Sequence, residues 1–166
     1  MTLWSDVLKQ EIQPGIKVAV MGVGQILSGD DGVGVLIARQ LREHIPSNDH
    51  RLIIDAGLAP ENFTGLIRKV RPELIIVIDA AQMNEPPGTV HLIPWQYADG
   101  ICMSTHTLPL KMMCSYLTDQ VGCDIALIGI QVGDAQFGHP PTSAVTTAAA
   151  QVALTLEDLL RLPEPA

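Results

Sequence analysis

Two adjacent carboxylates, Asp30 and Asp31, lie in a glycine-rich stretch between an apolar run and an amphipathic segment. The run at 18–23 has the composition of a buried parallel strand, and apolar residues recur at helical spacing from Val33 onwards. A glycine-rich turn at a strand–helix junction ordinarily binds a phosphate through the free N–H groups of the helix start. Two carboxylates would repel a phosphate, so this loop is predicted to bind a cation or a cationic group.

Further groups suited to chemistry follow other apolar runs of the chain. Asp55 and Asp79 come at the ends of the second and third runs, and His106 precedes a later helical segment. Because the carboxyl ends of parallel strands meet at one edge of a sheet, these residues and Asp31 are expected at the same edge. Carboxylate oxygens and imidazole nitrogens suit a borderline divalent ion such as nickel or zinc.

Each of these residues also has an ordinary structural explanation. Asp31 could cap the following helix, Asp79 could bind backbone amides at a strand end, and His106 could make a structural hydrogen bond. Only the convergence of these residues at one edge favours a metal-recognising site.

The elements that must position these residues alternate along the chain between apolar strands and amphipathic helices. This pattern predicts a three-layer α/β/α sandwich around a mostly parallel sheet of about five strands. The predicted strands cover 18–23, 51–55, 74–78, 89–93 and 125–130, and the predicted helices cover 4–12, 33–45, 60–70, about 107–117 and 143–160. The stretch 95–107 shows no period and is predicted as an ordered loop. With no linker or repeat, residues 1–166 are expected to form a single domain, with 1–15 as an N-terminal helical extension.

Composition excludes several classes of partner. The 18 acidic residues outnumber the 10 basic ones, giving a formal charge of −8, so a nucleic acid is not expected as a partner. No apolar run approaches the ~20 residues that a membrane span needs. The three cysteines, Cys102, Cys114 and Cys123, form no CxxC pair and follow no signal peptide, which predicts a cytoplasmic protein.

Two other chemistries are considered and disfavoured. Gly22, Gly24 and Gly29 have the spacing GxGxxxxG rather than GxGxxG, and no GK[ST] follows, so nucleotide binding is a poor fit. A cysteine hydrolase could use Cys102 as nucleophile and His106 as base. Their spacing of four residues in a loop does not determine how the two side chains are placed relative to each other, and no oxyanion-hole motif accompanies them. A serine hydrolase lacks its GxSxG elbow.

An ordered set of short motifs extends over about residues 18–160. The motifs are Gly-Asp-Asp-Gly-Val-Gly at 29–34, Ile-Asp-Ala-Gly at 54–57, Ala-Pro-Glu-Asn at 59–62, Val-Ile-Asp-Ala at 77–80, Pro-Gly at 87–88, Ser-Thr-His at 104–106 and Ile-Gly-Ile-Gln at 128–131. In this order they resemble the hydrogenase maturation endopeptidases, most closely the branch that processes formate-hydrogenlyase-type (hydrogenase 3) large subunits. The resemblance implies the same α/β sandwich that the periodicity predicts.

The resemblance implies a specific activity. Enzymes of this family remove a short C-terminal peptide from the precursor of the [NiFe]-hydrogenase large subunit after nickel has been inserted. They cut after a basic residue that follows the cysteine motif holding the metal. The implied partner is therefore the precursor, the implied nickel is carried by that precursor, and no organic cofactor is expected.

The resemblance also implies roles for individual residues. The metal-contacting positions of the family correspond to Asp31, Asp79 and His106, with Asp31 as the catalytic aspartate of an aspartate- or metal-dependent peptidase. Positions that support the site or bind substrate correspond to Gly29, Asp30, Asp55 and Thr105. A non-catalytic nickel carrier or hydrogenase-specific chaperone, using the same edge without cutting, is the alternative.

Overall fold

The computed structural model describes residues 3–103 and 109–161. In these two segments five strands form one sheet, and five α-helices flank it. The strands are β1 (Val18–Val23), β2 (Arg51–Gly57), β3 (Leu74–Ala81), β4 (Val90–Ile93) and β5 (Asp124–Gln131). The helices are α1 (Trp4–Glu11), α2 (Val33–His44), α3 (Thr64–Val70), α4 (Leu110–Val121) and α5 (Ser143–Leu160), and short 3-10 turns cover Gly29–Gly32, Pro60–Phe63 and Trp95–Tyr97.

The sheet confirms the predicted mostly parallel architecture. Its order is β2-β1-β3-β5-β4, with β4 as the antiparallel edge strand and all other pairs parallel. β1 and β3 are buried along their whole length, which explains why their residues are apolar on both faces. One core packs the sheet against α1, α2 and α5, and a second packs it against α3 and α4. No helix within the described residues is long and apolar enough to cross a membrane.

The ends of several elements differ from the sequence expectation, and the differences concern the site. β2 and β3 each continue two residues past their aspartate, so Asp55 and Asp79 lie inside strands rather than after them. A 3-10 turn precedes α2, so Asp31 lies before the helix and not in it. The stretch predicted as a loop from 95 contains the short turn Trp95–Tyr97. Pro109 is the N-cap of α4, which begins at Leu110, because the fixed φ of proline suits a helix start.

Candidate active site

Asp31 closes the loop that joins β1 to α2. Its Oδ2 accepts a hydrogen bond from the backbone N–H of Gln25 at 3.1 Å, and its own N–H donates to the carbonyl of Ser28 at 3.0 Å. The N-cap of α2 is Gly32, and no side chain caps this helix. The helix-capping explanation for Asp31 is therefore wrong. The residue as a whole is half-buried, and its Oδ1 is shielded from solvent, so these bonds hold the carboxylate within the loop.

Asp30, the adjacent residue, is fully buried. Its carboxylate accepts hydrogen bonds from the backbone N–H groups of Gly133 at 2.8 Å, Asp134 at 2.9 Å and Thr142 at 2.6 Å. The Thr142 hydroxyl also donates to it, and Thr142 is the N-cap of α5. A negative charge at a helix N-terminus is favourable, so Asp30 ties the Asp31 turn to the start of α5. The contacts are compatible with the supporting role predicted for Asp30, which stays a prediction.

Gly29 brings the same two segments into close backbone contact. Its φ is 53°, in the left-handed region, and a Cβ atom there would collide with the carbonyl oxygen of Asp134. The Gly29 N–H donates to the carbonyl of His139 at 3.0 Å, and the Asp30 N–H donates to the carbonyl of Asp134 at 2.8 Å. Only glycine fits this approach without moving the loop that carries Asp31.

Asp79 lies at the carboxyl-end half of the central strand β3 and is fully buried. It pairs in register with Gly129 of β5. Strand alternation places it on the face of Ile75, Val77 and Ala81, which pack towards α3 and α4. The start of α2 touches β3 one residue earlier, because a Cβ on Gly34 would collide with the carbonyl of Ile78. Asp31 and Asp79 therefore come from neighbouring elements at one edge of the sheet.

The segment before the predicted histidine lies along the end of β3. Cys102 forms a bridge with Ala81, the Met103 N–H donates to the carbonyl of Ala80 at 2.8 Å, and the Gln82 N–H donates to the carbonyl of Ile101 at 2.8 Å. The chain thus approaches Asp79 at residue 103. Thr105 and His106 lie outside the described residues, so their assignments stay predictions.

Asp55 forms an ion pair with Arg39. The Nε of Arg39 on α2 lies 2.8 Å from its Oδ2. The structure therefore gives Asp55 an ion-pair role beside the site, linking β2 to α2. Sequence reasoning missed Arg39, because its partner is 16 positions away on another element.

The described residues contain only part of the predicted nickel-recognising set. Within 3–103 and 109–161, no group of three or more His, Cys, Asp and Glu side chains is arranged to hold a metal ion. Asp31 and Asp79 are the two members of the set that these segments include. A complete set would need His106 as its third member.

The three thiols are poorly suited to nucleophilic catalysis. Burial, and next the negative charge of Asp79, raise the pKa of Cys102 far above its ordinary value. Burial is also the main cause that raises the pKa of Cys114 to about 12 and the pKa of Cys123 above its usual range. Because the thiolate is the attacking form, a cysteine peptidase using Cys102 is disfavoured.

Gln131 is a supporting residue whose role sequence reasoning missed. Its side chain is buried, its Oε1 accepts from the Met83 N–H at 2.6 Å, and its Nε2 donates to Gln82 Oε1 at 2.8 Å and to the Val132 carbonyl at 3.0 Å. It thereby holds the chain that leaves β3 just after Asp79. A buried polar residue at the end of an apolar strand was the available signal.

His139 is a turn histidine on the surface. Its Nδ1 lies 2.6 Å from Oδ2 of Asp134, and both side chains are well exposed. The hydrogen bond with His139, helped by the Gln136 N–H, lowers the pKa of the Asp134 carboxyl. The side chains of His44 and His91 are also about half exposed.

A parallel sheet with two aspartates on neighbouring elements at its carboxyl edge defines an α/β protein with an acidic site, and comparison with known proteins identifies the family. The family model HycI, described as hydrogenase maturation protease, matches residues 35–161. The chain is 34% identical over 136 residues to the hydrogenase 3 maturation protease of Escherichia coli K12, covering 81% of this chain and 85% of that protein. The protein belongs to the hydrogenase maturation protease family and is a peptidase.

Solved structures agree with this assignment. The crystal structure of the [NiFe] hydrogenase maturation protease HycI from Thermococcus kodakarensis KOD1 superposes with a TM-score of 0.85 at 30% identity, covering 94% of this chain and 99% of that one. The hydrogenase maturating endopeptidase HybD of Escherichia coli has a TM-score of 0.67 at 24% identity, covering 86% and 93%, and shares the fold.

Proposed function

We propose that this protein is an endopeptidase that removes the C-terminal peptide from a [NiFe]-hydrogenase large-subunit precursor after nickel insertion. The observation that carries the proposal is the position of Asp31: a half-buried residue in a hydrogen-bonded loop at the carboxyl edge of the sheet, next to the strand that bears Asp79. Membership of the maturation protease family supports the activity class.

The proposed recognition step uses two carboxylates and one imidazole. Asp31, Asp79 and His106 would contact the nickel that the substrate precursor already carries. A precursor without nickel would lose these contacts and with them the placement of its scissile bond, so cutting would depend on correct metal insertion. Asp31 would act as the general base for the attacking water, because it is half-buried whereas Asp79 is fully buried.

The test is the intact mass of a purified large-subunit precursor, with and without nickel, after incubation with the protein. Loss of one C-terminal peptide from the nickel-loaded form alone is the expected result. Unchanged mass in both forms, together with a stable complex on a sizing column, would instead support the nickel carrier or chaperone. That alternative also predicts tight nickel binding by the isolated protein.

Asp31→Asn is the decisive variant. The asparagine oxygen can still accept the hydrogen bond from Gln25, so folding should be retained. Removing a general base should slow processing by about 10²- to 10⁴-fold. Asp119→Asn, which changes an exposed carboxylate on α4, is the matched control and should process at the parental rate. If Asp31→Asn also processes at that rate, the catalytic assignment is wrong.

A further inference from the structure

Two large apolar side chains lie exposed beside the candidate active site. Leu27, in the loop after β1, is 58% exposed, and Phe137, in the loop after β5, is 75% exposed. Although they are 110 positions apart in the chain, their loops are joined, because the Gly138 N–H donates to the carbonyl of Leu27 at 2.8 Å. We call Leu27 and Phe137 the apolar rim. Large exposed apolar groups on adjoining loops are typical of interaction surfaces.

The backbone that carries the apolar rim is ordered by several hydrogen bonds. On the Phe137 side, the His139 carbonyl accepts from Gly29, and the Gln136 N–H donates to Oδ1 of Asp134 at 3.0 Å. The two side chains therefore project from loops that are already ordered, so a partner would not have to order these loops on binding.

The apolar rim is continuous with the Asp31 loop. Leu27 lies between Gln25, whose N–H binds the Asp31 carboxylate, and Ser28, whose carbonyl accepts from the Asp31 N–H. A polypeptide that brings a peptide bond to Asp31 therefore meets this loop.

We propose that the apolar rim docks an apolar segment of the large-subunit precursor and so contributes to substrate affinity. The inference rests on the proposed function, since it assigns the surface to the substrate of that site. The size of the rim argues against a second copy of this chain: one buried aromatic contributes about 150–250 Å², and a specific stable interface buries about 1,200–2,000 Å² in total. A small apolar contact beside a catalytic site suits a substrate that must also be released.

The test compares steady-state processing of the purified nickel-loaded precursor by four proteins. They are the parental enzyme, Leu27→Ser, the double variant Leu27→Ser/Phe137→Ser, and Leu154→Ser. Leu154, on α5, is 57% exposed and so matches Leu27 in exposure while lying on a different element. The double variant should raise KM at least about tenfold, with kcat within about twofold of the parental value. Leu154→Ser should change neither constant.

The outcomes separate this inference from the proposed function. An unchanged KM in the double variant, with the parental enzyme active, would overturn docking on the rim and leave the peptidase activity intact. An equal loss in Leu154→Ser would show a general surface effect and also overturn it. A parental dimer on a sizing column that the double variant abolishes, with KM unchanged, would assign the rim to a second copy. Absence of processing by the parental enzyme would overturn the proposed function itself. Because both rim side chains are largely exposed, the thermal midpoint of the double variant should equal that of the parental protein. Phe137→Lys alone is a second variant for the same KM measurement, for use if the double variant does not fold.

Discussion

The buried carboxylate of Asp30 is predicted to stabilise the protein strongly, and Asp30→Asn tests this with almost no change of shape. The best amide orientation keeps the oxygen towards Gly133 and Asp134 and turns the NH₂ group towards the Thr142 N–H, which lies 2.6 Å from the present carboxylate oxygen. Two donors then face each other, because an amide nitrogen cannot accept a hydrogen bond.

The size of the effect follows from the contacts that are lost. One hydrogen bond to a charged group is worth about 1.5–3 kcal/mol, and leaving a shielded N–H without an acceptor costs about 1–3 kcal/mol. Part of this loss is recovered, because the amide no longer requires burial of a charge. A net destabilisation of about 2–4 kcal/mol is expected, which lowers the thermal midpoint by about 4–16 °C for a domain of this size.

The assay is thermal unfolding followed by circular dichroism, combined with urea unfolding to obtain the free energy at 25 °C. Asp119→Asn is the control, because it removes an exposed carboxylate from α4 and should leave the midpoint nearly unchanged. An Asp30→Asn midpoint within 1–2 °C (roughly half a kcal/mol) of the parental protein would refute the conclusion that this network supports the turn bearing Asp31.

Two further predictions concern backbone strain and the thiols. Gly29→Ala should destabilise the protein by more than the ~1–2 kcal/mol of left-handed strain alone, because its Cβ also meets the Asp134 carbonyl. Gly57→Ala is the control: its φ is 56° and the space around it is open, so it should show the strain alone. Equal urea midpoints for the two variants would contradict the close contact. For Cys114, the pKa is raised from 9.0 unfolded to about 12 folded, so the unfolded state loses its proton first and stability falls as the pH rises through this window. Between pH 8 and pH 10, the free energy of unfolding measured by urea titration should fall by about 1.4 kcal/mol more for the parental protein than for Cys114→Ala. Equal pH dependence of the two proteins would show that burial does not raise the pKa of this thiol.

Much of the scaffold could be predicted from local pattern. The bounds of β1 and of α5 agree with the sequence expectation, because an uninterrupted apolar run and an apolar stripe of helical period each need only neighbouring residues to be recognised. The ends of β2 and β3 were less predictable. Both strands continue past their aspartates because neighbouring strands pair with them there, at Gly57 with Val23 and at Ala81 with Gln131.

The sequence by itself determined the α/β architecture and the family motifs, and it placed the acidic residues at the carboxyl edge of the sheet. Only the tertiary structure decided how each aspartate is bonded and how deeply it is buried. Asp30 and Asp31 are identical neighbours, but Asp30 is fully buried against Thr142, 112 positions away, whereas Asp31 is half-buried and bonds to Gln25 within its own loop. The Arg39 partner of Asp55 and the joining of Leu27 to the Phe137 loop likewise depend on chain segments that meet only after folding. Local periodicity carries no record of such contacts, because they are set by the packing of whole elements.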